Sequence, residues 1–318
     1  MRLAGTDSGV THPSILVGTC SWTDRTLTQD TDWYPKKSMS AADRLKFYAS
    51  RFSIAEADST YYFPPSPELA RGWAERTPDD FTMNVKAYSL LTGHPARPDS
   101  LWQDLRDAVK PEFAGKRNVY ASHLEPDAIE EAWRRFELAL RPLRTAGKLG
   151  AVLLQYPEWF TARKSNRDEL GAIRRRWPDL PVCVEFRSPT WLAAGQDRER
   201  TLHTLAELGL AVVIVDAPRV ARLPIVLETT SPDLAVIRFH GRNNETWKKP
   251  GTTAAERFDY LYSKPQLRAW VPKIEALAER AASVHALMNN CYQDKGVRNA
   301  ADLGAMLLGD RPEGSRGM

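Results

Sequence analysis

The sequence contains few of the residues that stabilise small secreted or zinc-dependent proteins. Its 318 residues include three cysteines and six histidines. Cys20, Cys183 and Cys291 are far apart, so no two of them have the short spacing of a zinc site. A sparse, odd cysteine count argues against a disulfide-linked extracellular scaffold and is typical of a reducing compartment. We therefore expect a cytoplasmic protein that is stabilised by a hydrophobic core.

The chain also lacks long apolar runs and a large charge of either sign. No run approaches the roughly 18 apolar residues that span a bilayer, and residues 1–13 show no apolar segment of a signal peptide. The formal net charge is +4 at pH 7, whereas nucleic-acid-binding proteins usually concentrate a basic excess in one stripe. We expect no membrane partner, and nucleic acid is an alternative partner that the charge does not favour.

Short β-branched or apolar segments recur along the chain, and most precede an amphipathic helical pattern. The predicted strands are 15–20, 53–58, 81–87, 149–155, 182–186, 211–216, 234–240 and 284–289. This alternation predicts the α/β class and a single (β/α)₈ barrel of the TIM type over 15–308, between flexible tails at 1–14 and 309–318. A doubly wound open sheet is the alternative, but no G-x-G-x-x-G turn follows the first strand.

Two connections between predicted elements are too long to be simple loops. Residues 88–126 follow the third strand and residues 241–264 follow the seventh. Long loops in compact domains are usually functional or disordered. Both insertions follow strands, so we expect them on the C-terminal rim, where barrel enzymes build their active sites. Residues 217–232, after the sixth strand, leave little room for a full helix.

Polar residues two positions apart end four of the predicted strands. The pairs are Glu56 and Asp58, Asn84 and Lys86, Glu185 and Arg187, and Arg238 and His240. Residues two apart share one face of a strand, and Gln155, Asp216 and Asn289 end three further strands. We expect these side chains to converge in the barrel mouth as a ligand site. A layer of compensating salt bridges is the alternative.

Acid–base chemistry is the favoured activity of such a site. Two carboxylates that flank a cleft can act as general acid and base, and Glu56 and Glu185 are the natural pair. Candidate catalytic residues are Glu56, Glu185, His240, Asp216 and Lys86. Lys86 could form a Schiff base but is expected to be ion-paired. Candidate substrate-binding residues are Trp22, Asp58, Tyr61, Gln155, Arg187, Arg238, Asn289 and Asn290.

No cofactor and no metal site are predicted. Carboxylates together with His240 and Gln155 could hold Mg²⁺ or Mn²⁺, which prefer oxygen ligands. The neighbouring cations Lys86, Arg187 and Arg238 already neutralise much of the negative charge. A divalent metal is therefore kept as an alternative.

Ordered motifs along nearly the whole chain resemble the YecE-like family, or domain of unknown function 72. The matching segments include 18–22 (GTCSW), 33–35 (WYP), 56–62 (EADSTYY), 184–187 (VEFR), 238–241 (RFHG) and 289–290 (NN). The resemblance implies a TIM-type barrel and no established reaction. Many members carry Asn where this chain has Asp58, and a second proline where it has Glu158.

Three functions are consistent with these features. The first is an enzyme of hydrolase or lyase type that acts on a sugar- or phosphate-containing small molecule at the C-terminal rim. In this hypothesis Arg187, Arg238 and His240 orient the substrate or stabilise developing negative charge. The second is a DNA-binding or repair protein that resembles barrel phosphodiesterases. The third is a barrel that binds a ligand without converting it.

Overall fold

Apolar segments form the parallel strands of a closed barrel in the computed structural model, which describes residues 14–309. The strands are β1 (Ser14–Thr19), β2 (Ile54–Ala57), β3 (Thr82–Lys86), β4 (Leu149–Tyr156), β5 (Val182–Phe186), β6 (Ala211–Asp216), β7 (Leu234–Phe239) and β8 (Ser283–Met288). Neighbours pair in chain order, and β8 pairs with β1. The predicted TIM-type barrel is confirmed.

Helices connect most of the strands and form the outer layer. They are α1 (Arg25–Asp30), α2 (Ala41–Ala49), α3 (Pro67–Glu75), α4 (Gln103–Asp107), α5 (Pro126–Thr145), α6 (Lys164–Arg176), α7 (Gln196–Glu207), α8 (Ala254–Arg257), α9 (Lys264–Arg268), α10 (Val271–Ala278) and α11 (Lys295–Gly309). Among the helices of residues 14–309, none combines the length and apolar character needed to cross a membrane.

The pattern at 266–282 predicts one helix, but the structure contains two, α9 and α10. Pro272 has no backbone N–H, so it cannot donate to the carbonyl of Arg268 four residues earlier. The segment after β6 forms only a 3₁₀ turn at Arg219–Ala221, as its length predicts. The tails predicted at 1–14 and 309–318 lie outside the described residues, except that Ser14 begins β1 and Gly309 ends α11.

Serine side chains fix the starts of several helices. The Ser40, Ser66 and Ser263 hydroxyls accept hydrogen bonds from the backbone N–H groups of Asp43, Leu69 and Gln266. Each bond satisfies a donor that the first helical turn would leave unpaired. These three caps fix the first turns of α2, α3 and α9.

Both predicted insertions lie at the carboxyl ends of their strands. Residues 87–125 follow β3 and contain short 3₁₀ turns, α4 and the antiparallel bridges Ala96–Val119 and Val109–Leu124. Residues 240–263 follow β7 and contain α8. The prediction of long insertions after strands 3 and 7 is therefore confirmed.

Alternation along the strands divides the barrel into an inner and an outer face. Inward residues such as Leu16, Ile54, Leu153, Val213 and Val236 form an apolar cluster inside the barrel. The intervening residues join the larger core between the sheet and the helices. Towards the carboxyl ends the inward positions become polar, and the alternation therefore places charged side chains in the mouth.

His285 of β8 is an inward polar residue within this apolar interior. It is 3% exposed, and its Nδ1 has no hydrogen-bond partner among the described residues. Burial lowers the pKa of His285 to about 3, because a low-dielectric interior disfavours the charged imidazolium. The ring is therefore neutral in the folded protein at neutral pH.

His285 should make the protein less stable as the pH falls. The unfolded chain takes up this proton near pH 6.5, whereas the folded chain does so only near pH 3. Stability is therefore lost as the pH decreases through this window, by about 2 kcal/mol between pH 6.5 and pH 5. Urea unfolding at both pH values should show a smaller loss in His285→Leu than in the wild type. Equal losses would contradict a neutral buried imidazole.

Two glycines should respond to alanine in opposite directions. A Cβ on Gly18 of β1 would lie 2.1 Å from the Ile54 carbonyl oxygen of β2, whereas a Cβ on Gly304 of α11 meets nothing within 4 Å. Gly18→Ala should cost about 1–3 kcal/mol of unfolding free energy, and Gly304→Ala should add about 0.5–1 kcal/mol. Urea unfolding measures both changes. A Gly18→Ala protein as stable as the wild type would show that β1 and β2 can separate freely.

Candidate functional site

Arg238 of β7 lies at the centre of the barrel mouth between two carboxylates. Its Nη1 is 2.5 Å from Glu185 Oε2, and its Nη2 is 2.6 Å from Glu56 Oε1. All three side chains are fully buried. Removing three charges from water is costly unless each is paired, so the guanidinium and the two carboxylates depend on one another.

Glu185 is the most heavily contacted carboxylate of this cluster. Its Oε1 accepts hydrogen bonds from Gln155 Nε2 at 2.8 Å and from His240 Nε2 at 3.0 Å. The Arg187 Nε lies 2.7 Å from the same oxygen. Burial raises the pKa of Glu185, but Arg187, Arg238 and His240 outweigh it and hold the pKa well below its usual range. Glu185 is therefore a fixed anion that orients its neighbours.

His240 is neutral and uses both ring nitrogens. Its Nε2–H donates to Glu185, and its Nδ1 accepts from the Asn289 amide at 2.6 Å, which is the tautomer that satisfies both contacts. Burial lowers the pKa of His240 to about 3, because the loss of hydration, together with the charges of Arg187 and Arg238, outweighs the opposing charge and hydrogen bond of Glu185. The ring therefore links Glu185 of β5 to Asn289, the first residue after β8.

Lys86 and Asp58 form an ion pair nearer the opening. Lys86 Nζ lies 2.8 Å from Asp58 Oδ1 and 4.4 Å from the centre of the Tyr61 ring. Burial raises the pKa of Asp58, but the charges of Lys86 and Arg238 exceed this effect, so the pKa is lowered overall. Asp58 is therefore ionised at neutral pH.

The pKa of Glu56 is shifted upwards, in the opposite direction to that of Asp58. Burial raises the pKa of Glu56 more than Arg238 lowers it. Its Oε2 has no hydrogen-bond partner among the described residues, and the side chain is fully buried. The carboxyl group lies below the opening and does not line the cavity.

A cavity of about 330 Å³ opens above this buried cluster. Its floor contains Asp58, Lys86, Gln155, Arg187 and Asn289. Aromatic rings line two sides. The first wall consists of Tyr61, Tyr62, His94 and Trp159, and the second wall consists of Trp247 and Phe258. Five of the eleven strand-end polar residues that the sequence predicts in the mouth line this cavity, and Glu56, Glu185, Arg238 and His240 lie buried beneath it.

Asp216 was expected in this cluster, but it faces the helices. Asp216 pairs in register with Phe239, whereas the preceding Val215 pairs with Arg238 and faces inward. Its carboxylate binds Arg242 at 2.8 and 2.6 Å and accepts from Trp270 Nε1 at 2.8 Å. The strand alternation therefore places Asp216 in the outer layer, where it anchors the loop after β7.

Asn290 and Trp22 also lie outside the cavity, contrary to expectation. Asn290 follows the inward Asn289 and therefore points outward, where its amide donates to Tyr260 O and Asn299 Oδ1. Trp22 is 5% exposed and packs edge-on against Trp73 with ring centres 5.9 Å apart. Both residues support the fold around the mouth and do not line the site.

Sequence reasoning missed several residues that line the cavity. They are Tyr62, His94, Glu158, Lys248, Arg257 and Phe258. They lie outside the strands, where no periodicity shows which side chains point inward. For the residues after β3 and β7 the only signal was the length of the insertions, and Tyr62 and Glu158, after β2 and β4, gave none. Burial, aided by Lys86 and Arg187, lowers the pKa of His94 to about 4.

Within residues 14–309, no group of three or more His, Cys, Asp or Glu side chains is placed to hold a metal ion.

Removing Arg238 should destabilise the protein far more than removing an exposed arginine. Arg238→Met leaves Glu56 and Glu185 buried and facing each other, which should cost about 3–5 kcal/mol. Arg280→Ala breaks an exposed pair with Glu228 and should cost less than about 1 kcal/mol. Chemical unfolding of both variants measures the difference. Similar losses would show that the buried cluster is not a cooperative unit.

The comparisons with known proteins agree with this architecture. UPF0759 protein YunF of Bacillus subtilis is 29% identical over 299 residues, covering 92% of this chain and 93% of the relative. UPF0759 protein YecE of Escherichia coli K12 is 27% identical over 188 residues, covering 58% of this chain and 56% of the relative.

Solved structures of similar proteins share the fold. The crystal structure of a DUF72 family protein from Thermotoga maritima has 28% sequence identity and a TM-score of 0.71, and the match covers 92% of this chain and 99% of that one. One from Enterococcus faecalis has 25% identity and a TM-score of 0.71, covering 93% and 98%. The model of the family described as "Protein of unknown function DUF72" matches residues 16–315. This chain therefore belongs to the DUF72 family.

Proposed function

We propose that the protein is an enzyme of hydrolase or lyase type that acts on a sugar- or phosphate-containing small molecule. The observation that carries the proposal is the cavity of about 330 Å³ above the Arg238 cluster. Pockets for small ligands have volumes of a few hundred Å³ and combine apolar walls with a few fixed polar groups. The sequence left a salt-bridge layer and a ligand site as alternatives. In this proposal both are present, with the ligand cavity above the buried salt bridges.

Lys86 and Asp58 are the titratable pair that meets both the cavity and the buried cluster. Asp58 is 27% exposed at its side chain and ionised at neutral pH, so it can accept a proton from a substrate group or a water. Lys86 holds this carboxylate and offsets negative charge on the substrate. The ion pair favours this role for Lys86 over a Schiff base, since a nucleophilic amine must be uncharged.

Arg187 is the candidate for stabilising negative charge that develops during the reaction. Glu185 holds its Nε, and the guanidinium lies 5.5 Å from the centre of the Trp247 ring in the second wall. Donors that are fixed before the reaction stabilise charge without reorganisation. Glu56, Glu185, Arg238 and His240 then act from beneath the floor as positioning residues, with Gln155 and Asn289 as polar contacts to the substrate.

We also propose a cytoplasmic location and activity without a resident metal. The free thiols of Cys20, Cys183 and Cys291 support a reducing compartment. The cations Lys86, Arg187 and Arg238 surround the carboxylates of the mouth, which disfavours a divalent ion beside them. Mg²⁺ and Mn²⁺ nevertheless belong in any ligand screen.

A ligand screen followed by product detection tests the proposal. Thermal unfolding is recorded with sugars, sugar phosphates, nucleotides and short DNA duplexes, with and without Mg²⁺ or Mn²⁺. A ligand at 100 times its Kd adds about 2.7 kcal/mol, which should raise the Tm by several degrees. Each ligand that shifts the Tm is then incubated with enzyme, and mass spectrometry measures its conversion. We expect conversion of at least one sugar- or phosphate-containing ligand.

Variants at the cavity floor identify the reacting groups. Asp58→Asn and Lys86→Met should each lower the turnover rate by about 100-fold or more, while the Asp58→Asn variant retains ligand binding. Glu245→Gln, an exposed carboxylate on the same rim outside the cavity, should leave turnover unchanged. A ligand that binds but is never converted would make the protein a binding barrel. Turnover that survives both cavity variants would contradict the assigned chemistry.

A further inference from the structure

The two aromatic walls give the cavity surfaces that fit a ring. In the first wall Tyr61 is in edge contact with Tyr62 and His94, and His94 with Trp159, at centre distances of 5.0, 5.3 and 5.8 Å. In the second wall Trp247 and Phe258 are 5.6 Å apart. Trp159 is 59% exposed. Exposed aromatic faces stack on sugar or base rings without the need for hydrogen bonds.

Two cations at the outer edge of the cavity, unlike those at its floor, form no ion pair with a carboxylate of the described residues. Lys86 is paired with Asp58, and Arg187 with Glu185. Lys248 and Arg257 belong to the insertion after β7, with Arg257 at the end of α8; they also line the cavity and are exposed. Neither forms an ion pair with any residue that the structure describes, whereas Arg242 of the same loop is bound to Asp216.

The charge of the whole site is positive. Lys86, Arg187, Arg238, Lys248 and Arg257 supply five cations. The carboxylates of Asp58, Glu158, Glu56 and Glu185 supply four anions. The site therefore retains a charge of +1 or more, and the excess lies at the edge formed by Lys248 and Arg257. A site with this distribution attracts an anion to its outer edge.

We propose that Lys248 and Arg257 form a subsite for the phosphate of a ring-bearing phosphate monoester, such as a sugar or nucleoside monophosphate. This subsite rests on the proposed function, because it assigns the substrate class of the same cavity. Lysine contributes a compact point charge and arginine a planar fork that binds two phosphate oxygens. Together the two cations match the charge of a phosphate dianion better than they match the single charge of a carboxylate ligand. The ring then lies between the walls, and the bond that reacts lies over Lys86 and Asp58.

Calorimetric titration of the full chain tests the subsite. The probes are glucose 6-phosphate and glucose, AMP and adenosine, and inorganic phosphate, each at low and at high salt. We expect at least one phosphorylated probe to bind about tenfold or more tightly than its dephosphorylated partner, because charge-assisted hydrogen bonds add to the ring contacts. The two pairs show whether the ring is a sugar or a nucleoside. Binding of the phosphorylated probe should weaken at high salt.

Three methionine variants distinguish the subsite from general surface charge. Lys248→Met and Arg257→Met should each weaken binding of the phosphorylated probe about tenfold and leave binding of its uncharged partner unchanged. Lys249→Met is the matched control, because Lys249 is the exposed neighbour of Lys248 but does not line the cavity. Equal binding of both members of each pair, no binding of any probe, or an equal effect of Lys249→Met overturns the subsite. If an uncharged probe binds and is converted, the proposed enzyme stands and only the phosphate subsite fails.

Discussion

Arg238 bridges Glu56 and Glu185 with one nitrogen to each carboxylate, and the rest of the mouth depends on this interaction. It joins β2, β5 and β7 across the inside of the barrel, where all three side chains are fully buried. Glu185 extends the connection to Gln155, Arg187 and His240, and His240 extends it to Asn289 of the loop after β8. A change at one member would therefore alter the positions and the charge balance of several others.

In this arrangement the groups that stabilise the barrel lie deeper than the groups proposed to react with a substrate. In the fully buried layer Arg238 lies between Glu56 and Glu185, and this layer holds Arg187 from below and lies beside Asp58. The upper layer, formed by Lys86, Asp58 and the two walls, is partly exposed and meets the cavity. Barrel enzymes commonly place reacting groups on the rim and variable residues on the loops. In this chain the segments after β3 and β7 supply three of the six wall residues, His94, Trp247 and Phe258, and also the two cations, Lys248 and Arg257, that form no ion pair with a described residue.

Much of the fold and about half of the site could be predicted from the sequence. Strands β5 and β6 occur at the predicted residues because a short apolar run between polar loops fits a strand that is buried on both faces. The pairs Glu185–Arg187 and Arg238–His240 were predicted correctly as inward-facing because polar residues two apart share a face. Asp216 was misplaced because β6 is apolar on both faces, so its sequence contains no alternation that would assign the last residue to one side.

The residues that no pattern could supply lie in the loops. His94, Lys248 and Arg257 reach the cavity only because the insertions fold back over the mouth, and such folding depends on contacts far apart in sequence. Asn290 and Trp22 were predicted in the site but lie outside it. Asn290 follows the inward Asn289 and therefore faces outward, and Trp22 packs against Trp73 of α3.

A crystal structure with the tightest ligand of the screen would show directly whether the barrel mouth is a preorganised ligand site. We expect ligand density in the cavity, in contact with Lys86 and Arg187, while Arg238, Glu56 and Glu185 stay within about 0.5 Å of their positions. Ligand density elsewhere on the molecule, or a rearranged Arg238 cluster, would contradict a preorganised site at the barrel mouth.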